Sequence, residues 1–130
     1  MISASTPLRV VRPTRDIDAV HRFYVGLLGL TEVYRFEDKD GFDGLIVSIP
    51  GADYQLAFTR QHTDPEPPRP GPENQIVFYM PDRSQWQRMV NRLAESGVAQ
   101  VRPGNPYWLE NGATFEDPDG YRIVLQNAMP

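Results

Sequence analysis

Gly112 to Gln126 reads GATFEDPDGYRIVLQ, with Asp117-Pro118-Asp119-Gly120 set between two runs of β-favouring residues. Those four residues have the chemistry of a hairpin turn. An Asp side-chain oxygen opens the turn, Pro118 pre-sets φ, and Gly120 supplies the positive φ that closes it. Beyond the turn, Ile123 and Leu125 alternate with Arg122, Val124 and Gln126, so the returning strand has one apolar and one mixed face.

Upstream of this hairpin the elements follow in a fixed order. Gln75 to Met80 alternates as a strand. Asp82 caps the next helix, with Gln85 three residues on, and Trp86, Met89, Val90, Leu93 and Ala94 form its apolar stripe until Gly97 ends it. Val98 to Arg102 is a short strand, and Pro103 to Asn111 a loop holding Tyr107 and Trp108. The order is strand, helix, strand, hairpin.

The same order is expected at the N-terminal end. Pro7 to Val11 is a strand with Leu8 and Val10 on one face. Thr14 and Asp16 offer N-cap oxygens to a helix of about 12 residues, whose stripe runs through Ile17, Val20, Phe23, Tyr24, Leu27 and Leu28 to the stop at Gly29. Thr31 to Glu37 alternates, Asp38 to Gly44 reads as a charged solvated loop, and Leu45–Ile49 and Tyr54–Thr59 pair across Pro50-Gly51-Ala52-Asp53. Between the halves, Arg60 to Asn74 carries five of the thirteen prolines, a composition that favours extended chain over a packed core. The expected organisation is one α+β domain over residues 1–130, with modules at 7–59 and 75–127 joined by a linker at 60–74. In each module the helix stripe covers the apolar sheet face and leaves the mixed face open.

Composition narrows the partners. With 130 residues and 40% apolar content the chain suffices for one core. The net charge is −4, one lysine is present and the basic residues are scattered, so nothing matches the clustered cations that nucleic-acid phosphates demand. No apolar run approaches the roughly 20 residues of a membrane span, and no signal peptide is recognisable, so no membrane partner is expected and a cytoplasmic location is. Cysteine is absent and only two histidines occur, which leaves His, Asp and Glu for any metal site.

Two features in this order carry a family pattern: Asp16 leading through Phe23-Tyr24 to Leu28-Gly29-Leu30, and Phe115-Glu116-Asp117-Pro118-Asp119-Gly120 near the far end. They resemble the vicinal oxygen chelate superfamily, which includes glyoxalase I, the bleomycin and fosfomycin resistance proteins and the extradiol dioxygenases. Arg12-Pro13-Thr14 and Asn105-Pro106-Tyr107-Trp108 are similar to its YycE-like subgroup, which has no assigned reaction. The resemblance implies paired βαβββ modules forming a cup-shaped mixed sheet (the glyoxalase/bleomycin resistance fold), a small-molecule ligand and a homodimer. Metal-dependent members place ligands on the first and last strands of each module; carried over, those positions fall on Arg9, Gln55, Gln75 and Val124. A guanidinium repels a cation, valine cannot bind one and lone amides bind weakly, so no metal and no cofactor are expected.

The mixed faces then supply the candidate ligand-binding residues: Arg9, Gln55, Gln75, Tyr79, Arg122 and Val124, with Trp108 from the irregular loop. Arg9 suits a carboxylate, phosphate or enolate held bidentately, and the glutamines offer orientation; otherwise Arg9 pairs with an internal carboxylate and the glutamines satisfy each other. His21 and His62 read as a helix-packing and a solvated loop residue. Three functions follow: a binding protein that sequesters an anionic or polar compound; a metal-free enzyme with Arg9 as electrophile and Tyr79 or Glu116 as proton shuttle; and a metal-dependent lyase or dioxygenase.

Overall fold

In the computed structural model, which describes residues 1–130, the Asp117 turn closes as its chemistry requires. Gly120 N–H donates to Asp117 O at 3.0 Å, Asp117 Oδ1 accepts from the N–H groups of Asp119 and Tyr121 at 2.9 Å, and Gly120 adopts φ +91°. The turn joins β7 (Gly112–Glu116) to β8 (Arg122–Gln126). These belong to the second of two structural units, Met1–Pro68 and Arg69–Pro130.

The first unit contains β1 (Leu8–Pro13), α1 (Ile17–His21), β2 (Thr31–Lys39), β3 (Phe42–Ser48) and β4 (Tyr54–Gln61). The second contains β5 (Gln75–Tyr79), α2 (Arg83–Glu95), β6 (Gln100–Val101), β7 and β8. Each forms a four-stranded mixed sheet, in the orders β1-β4-β3-β2 and β5-β8-β7-β6. The wiring is the same in both. The opening strand pairs in parallel with the closing strand, and the other pairings are antiparallel.

Both helices start where their caps predict. Asp16 Oδ1 accepts from Ala19 N–H at 3.1 Å, and Asp82 Oδ1 from Gln85 N–H at 3.0 Å. The first helix does not continue as α for its expected length. Arg22–Leu27 is a π-helical turn, closed by Leu28 N–H donating to Phe23 O at 3.0 Å. This wider turn keeps Ile17, Val20, Phe23 and Tyr24 buried on one side, with the Tyr24 and Phe58 rings 4.5 Å apart. The α2 stripe is shallower than expected: Leu93 is buried, Trp86 half-buried and Ala94 exposed. Trp86 still fixes the helix, because its indole N–H donates to Leu125 O at 2.8 Å.

Two expectations in the first unit need correction. Residues 38–44 are not an open loop: β2 extends to Lys39 and β3 starts at Phe42, because Asp38 and Asp40 accept positive φ (47° and 54°) and make the connection tight. Aspartate tolerates this region because its short polar side chain bonds locally. Nor are Leu8 and Val10 a buried face. β1 is an edge strand with Leu8 60% and Val10 39% exposed, and the core comes instead from β3, β4 and α1.

Candidate functional site

In the first unit the β1–β4 register sets Arg9 opposite Gln55. Side chains of directly opposed residues share a face. Arg9 Nε and Nη2 both donate to Gln55 Oε1, at 2.9 and 2.8 Å, and no carboxylate pairs with this guanidinium. Of the two sequence alternatives for Arg9, pairing with an internal acid is thus not what forms. The pair borders a cleft of about 430 Å³ lined also by Pro7, Leu8, Ala52, Asp53 and Tyr54. Gln55 has committed its acceptor oxygen to Arg9, so the pair has only N–H groups left to present: the Gln55 amide nitrogen and the outer guanidinium hydrogens. Such a surface suits an anion.

A second concavity of the same unit, about 220 Å³, is lined by Arg15, Asp16, Asp18, Arg35, Asp43 and Arg60 among others. Its charges are largely spent on one another. Arg35 bonds Asp18, which lowers the Asp18 carboxyl below its usual range and raises Arg35. Arg60 lies 3.8 Å from Asp43. The Asp38 backbone N–H, and then His62 donating from Nε2 at 2.8 Å, hold the Asp43 carboxyl below the ordinary aspartate range. His62 is therefore tied to the β2–β3 connection rather than simply solvated, a contact hidden in sequence because 19 positions separate the partners. His21 is half-buried on the helix, 3.4 Å from Glu32.

In the second unit the β5–β8 register sets Gln75 opposite Arg122, Val77 opposite Val124 and Tyr79 opposite Gln126. Gln75, Tyr79, Arg122 and Val124 thus share one face of the sheet, Val124 fully buried and the other three half-buried. Arg122 is not available as Arg9 is. Its Nε donates to Glu116 Oε2 at 3.2 Å and its Nη1 to Arg102 O at 3.1 Å. Glu116 lies also 3.4 Å from Arg69, so two guanidiniums occupy its carboxylate. In the loop, Tyr107 is 65% exposed, whereas the Trp108 indole nitrogen is buried. Thr114 and Gln126, on the same face as Val124, are buried polar residues; sequence alternation places both there but cannot say that they are covered.

The positions at which the resemblance expects metal ligands do not fit a metal ion. Arg9 brings a positive charge, Val124 has no donor atom, and no group of three His, Asp or Glu residues in the chain could hold an ion.

Residues 8–59 match the YycE-like N-terminal domain and residues 73–127 the YycE-like C-terminal domain. The chain belongs to the YycE-like family. It is 38% identical over 121 residues to the uncharacterized protein YycE of Bacillus subtilis, covering 93% of this chain and 87% of that one. The crystal structure of a Bacillus subtilis YycE protein of unknown function superposes with a TM-score of 0.88 at 36% identity, covering 97% and 92% of the two chains. An antibiotic binding protein from a Streptomyces species, TnmS3, gives a TM-score of 0.70 at 27% identity over 97% and 98%. The YycE-like family thus has the glyoxalase/bleomycin resistance fold within the vicinal oxygen chelate superfamily. No helix is long and apolar enough to cross a membrane.

Proposed function

We propose that this YycE-like protein binds a small anionic compound and holds it without transforming it. The observation that carries this reading is the Arg9–Gln55 pair: a guanidinium oriented by two hydrogen bonds to an amide oxygen, beside a cleft, and bonded to no carboxylate although Asp53 lines the same cleft. A charged group kept oriented but unneutralised gains most from a carboxylate, phosphate or phosphonate, which accepts two parallel N–H bonds. The antibiotic-binding relative at 27% identity supports a binding role. The pairing of Glu116 with Arg122 and Arg69 weighs against the metal-free enzyme, since it occupies one of the two residues proposed to move a proton.

A homodimer accompanies this reading. Leu8 and Val11 on β1 and Val33 and Tyr34 on β2 are apolar side chains more than half exposed on the two edge strands of the first sheet, and covering such an edge is what a second copy would do. Native mass spectrometry of the purified protein, titrated with benzoate and phenylphosphonate, reports copy number and occupancy together. Arg9→Ala should weaken the anions by roughly 1 to 3 kcal/mol, the worth of a charge-assisted bond. Equal affinity in the folded variant would make Arg9 a structural residue and end the proposal.

A further inference from the structure

Three polar side-chain atoms of the second unit are buried without a hydrogen-bond partner: Trp108 Nε1, Thr114 Oγ1 and Gln126 Oε1. Buried polar groups are nearly always paired, so three in one small unit call for an explanation. Thr114 and Gln126 are only 2% and 4% exposed. In the β7–β8 register Gly112 stands opposite Gln126 and Thr114 opposite Val124, which puts Thr114, Val124 and Gln126 on one face. The other face carries Ala113, Phe115, Ile123 and Leu125 and takes α2, whose Trp86 bonds the Leu125 carbonyl.

Gly112 brings the loop and the amide together. A Cβ at this position would lie 2.3 Å from Trp108 O and 2.4 Å from Gln126 Oε1, so the missing side chain is what lets the Trp108 main chain approach the Gln126 amide oxygen. Two acceptor oxygens therefore converge over Gly112. The indole N–H is a donor and the Thr114 hydroxyl serves as either. Val124 gives an apolar floor, and the nearest charge on this face, Arg122, is neutralised by Glu116.

We infer that this face takes an uncharged amide-type group, such as a carboxamide, imide or lactam edge. Its N–H is received by Gln126 Oε1 and its carbonyl by the Trp108 indole, with Thr114 bonding at either edge. An anion is disfavoured in these dry surroundings, because the Arg122 guanidinium is already bonded to Glu116 Oε2 and Arg102 O. The site rests on residues other than the Arg9–Gln55 pair and stands or falls separately from it.

The test uses the two indole N–H resonances of the full-length protein, with Trp86, already bonded to Leu125 O, as internal control. Benzamide should shift the Trp108 resonance saturably and leave that of Trp86 in place, and benzoate should move neither. Thr114→Val, which keeps the side-chain shape, should weaken benzamide about 3- to 10-fold, as expected for one neutral hydrogen bond. Gln126→Leu should act as Thr114→Val does; should that variant not fold, Thr114→Val and the benzamide–benzoate contrast decide the matter. A Trp108 signal unmoved at the solubility limit of benzamide, or wild-type affinity in Thr114→Val, would mean that ordered water satisfies these atoms and would overturn the inference.

Discussion

In the first unit an arginine on the opening strand faces a glutamine on the closing strand; in the second the two residue types have exchanged strands, Gln75 on β5 facing Arg122 on β8. The wiring around them is the same, yet the charges fare differently. Arg9 donates to a neutral amide and keeps its full charge at a cleft. Arg122 donates to Glu116, a residue on its own hairpin, and its charge is cancelled locally. In the proposed reading, one sheet face takes an anion and the other an uncharged group. A polar residue's place in the register does not fix its function; the neighbour that completes its hydrogen bonds does.

The contrast extends to two glycines, Gly44 on β3 and Gly112 on β7, each the third strand of its unit. A Cβ on Gly44 would meet the Phe36 ring at 2.2 Å, and one on Gly112 would meet the Trp108 backbone oxygen at 2.3 Å. A ring can swing aside at its torsions, whereas a backbone carbonyl carries its loop with it. Gly112→Ala should therefore cost about 2 to 3 kcal/mol and Gly44→Ala about 1, within the range for overpacking. Urea denaturation of both variants measures the difference. Equal costs would show that the loop around Trp108 is as free to move as an aromatic ring.

Much of this architecture was legible in the chain. The Asp117 turn and the caps Asp16 and Asp82 could be read because each rests on local chemistry within four residues. The π-helical turn at Arg22–Leu27 could not, because the apolar stripe is served by either winding. The tight β2–β3 connection was hidden because positive φ at Asp38 and Asp40 leaves no mark in a charged run beyond the aspartates themselves. At the sites, alternation put Arg9 and Gln55 on mixed faces, but the parallel β1–β4 pairing that opposes them joins distant strands, and whether an arginine keeps its charge depends on contacts of a few ångströms. Glu116 and Arg122 are opposed in the hairpin register, so their pairing was within reach once the turn was fixed. The burial of Thr114 and Gln126 was not, since alternation names a face and not what covers it.

The exchanged Arg and Gln can be put to a direct trial. Glu116→Gln removes the carboxylate from Arg122 and leaves Gln75 across the strand, so the second face should come to resemble the first. Phosphate should then perturb the Arg122 side-chain N–H resonance with weak, salt-sensitive affinity, while the wild type shows no such response. The variant should lose about 1 kcal/mol of stability, because the Arg122–Glu116 pair is partly buried, with side-chain exposures of 15% and 30%. An unresponsive Arg122 would mean that its bond to Arg102 O, which the substitution leaves intact, already spends the guanidinium.

The smallest expected effect separates the units by pH. Asp18 and Asp43, both in the first unit, have carboxyls held below the ordinary range, Asp18 by Arg35 and Asp43 by the Asp38 backbone N–H and His62. A depressed folded-state value means that the unfolded chain binds the proton more tightly. The stabilisation is therefore complete above the unfolded aspartate value of about 3.9, and it fades as pH falls through the lower folded values. Asp18 is exposed and Asp43 half-buried at the surface, so the effect should be modest and weaken with added salt. Amide hydrogen exchange followed from pH 6 to pH 3, corrected for the intrinsic rate, should show the β2–β3 connection losing protection while the β5–β8 pairing at Val77 and Val124, which involves no titrating side chain, loses less at first. Simultaneous loss at both places would mean that acid acts on the chain as a whole and that the ion pairs of the first unit do not set its local stability.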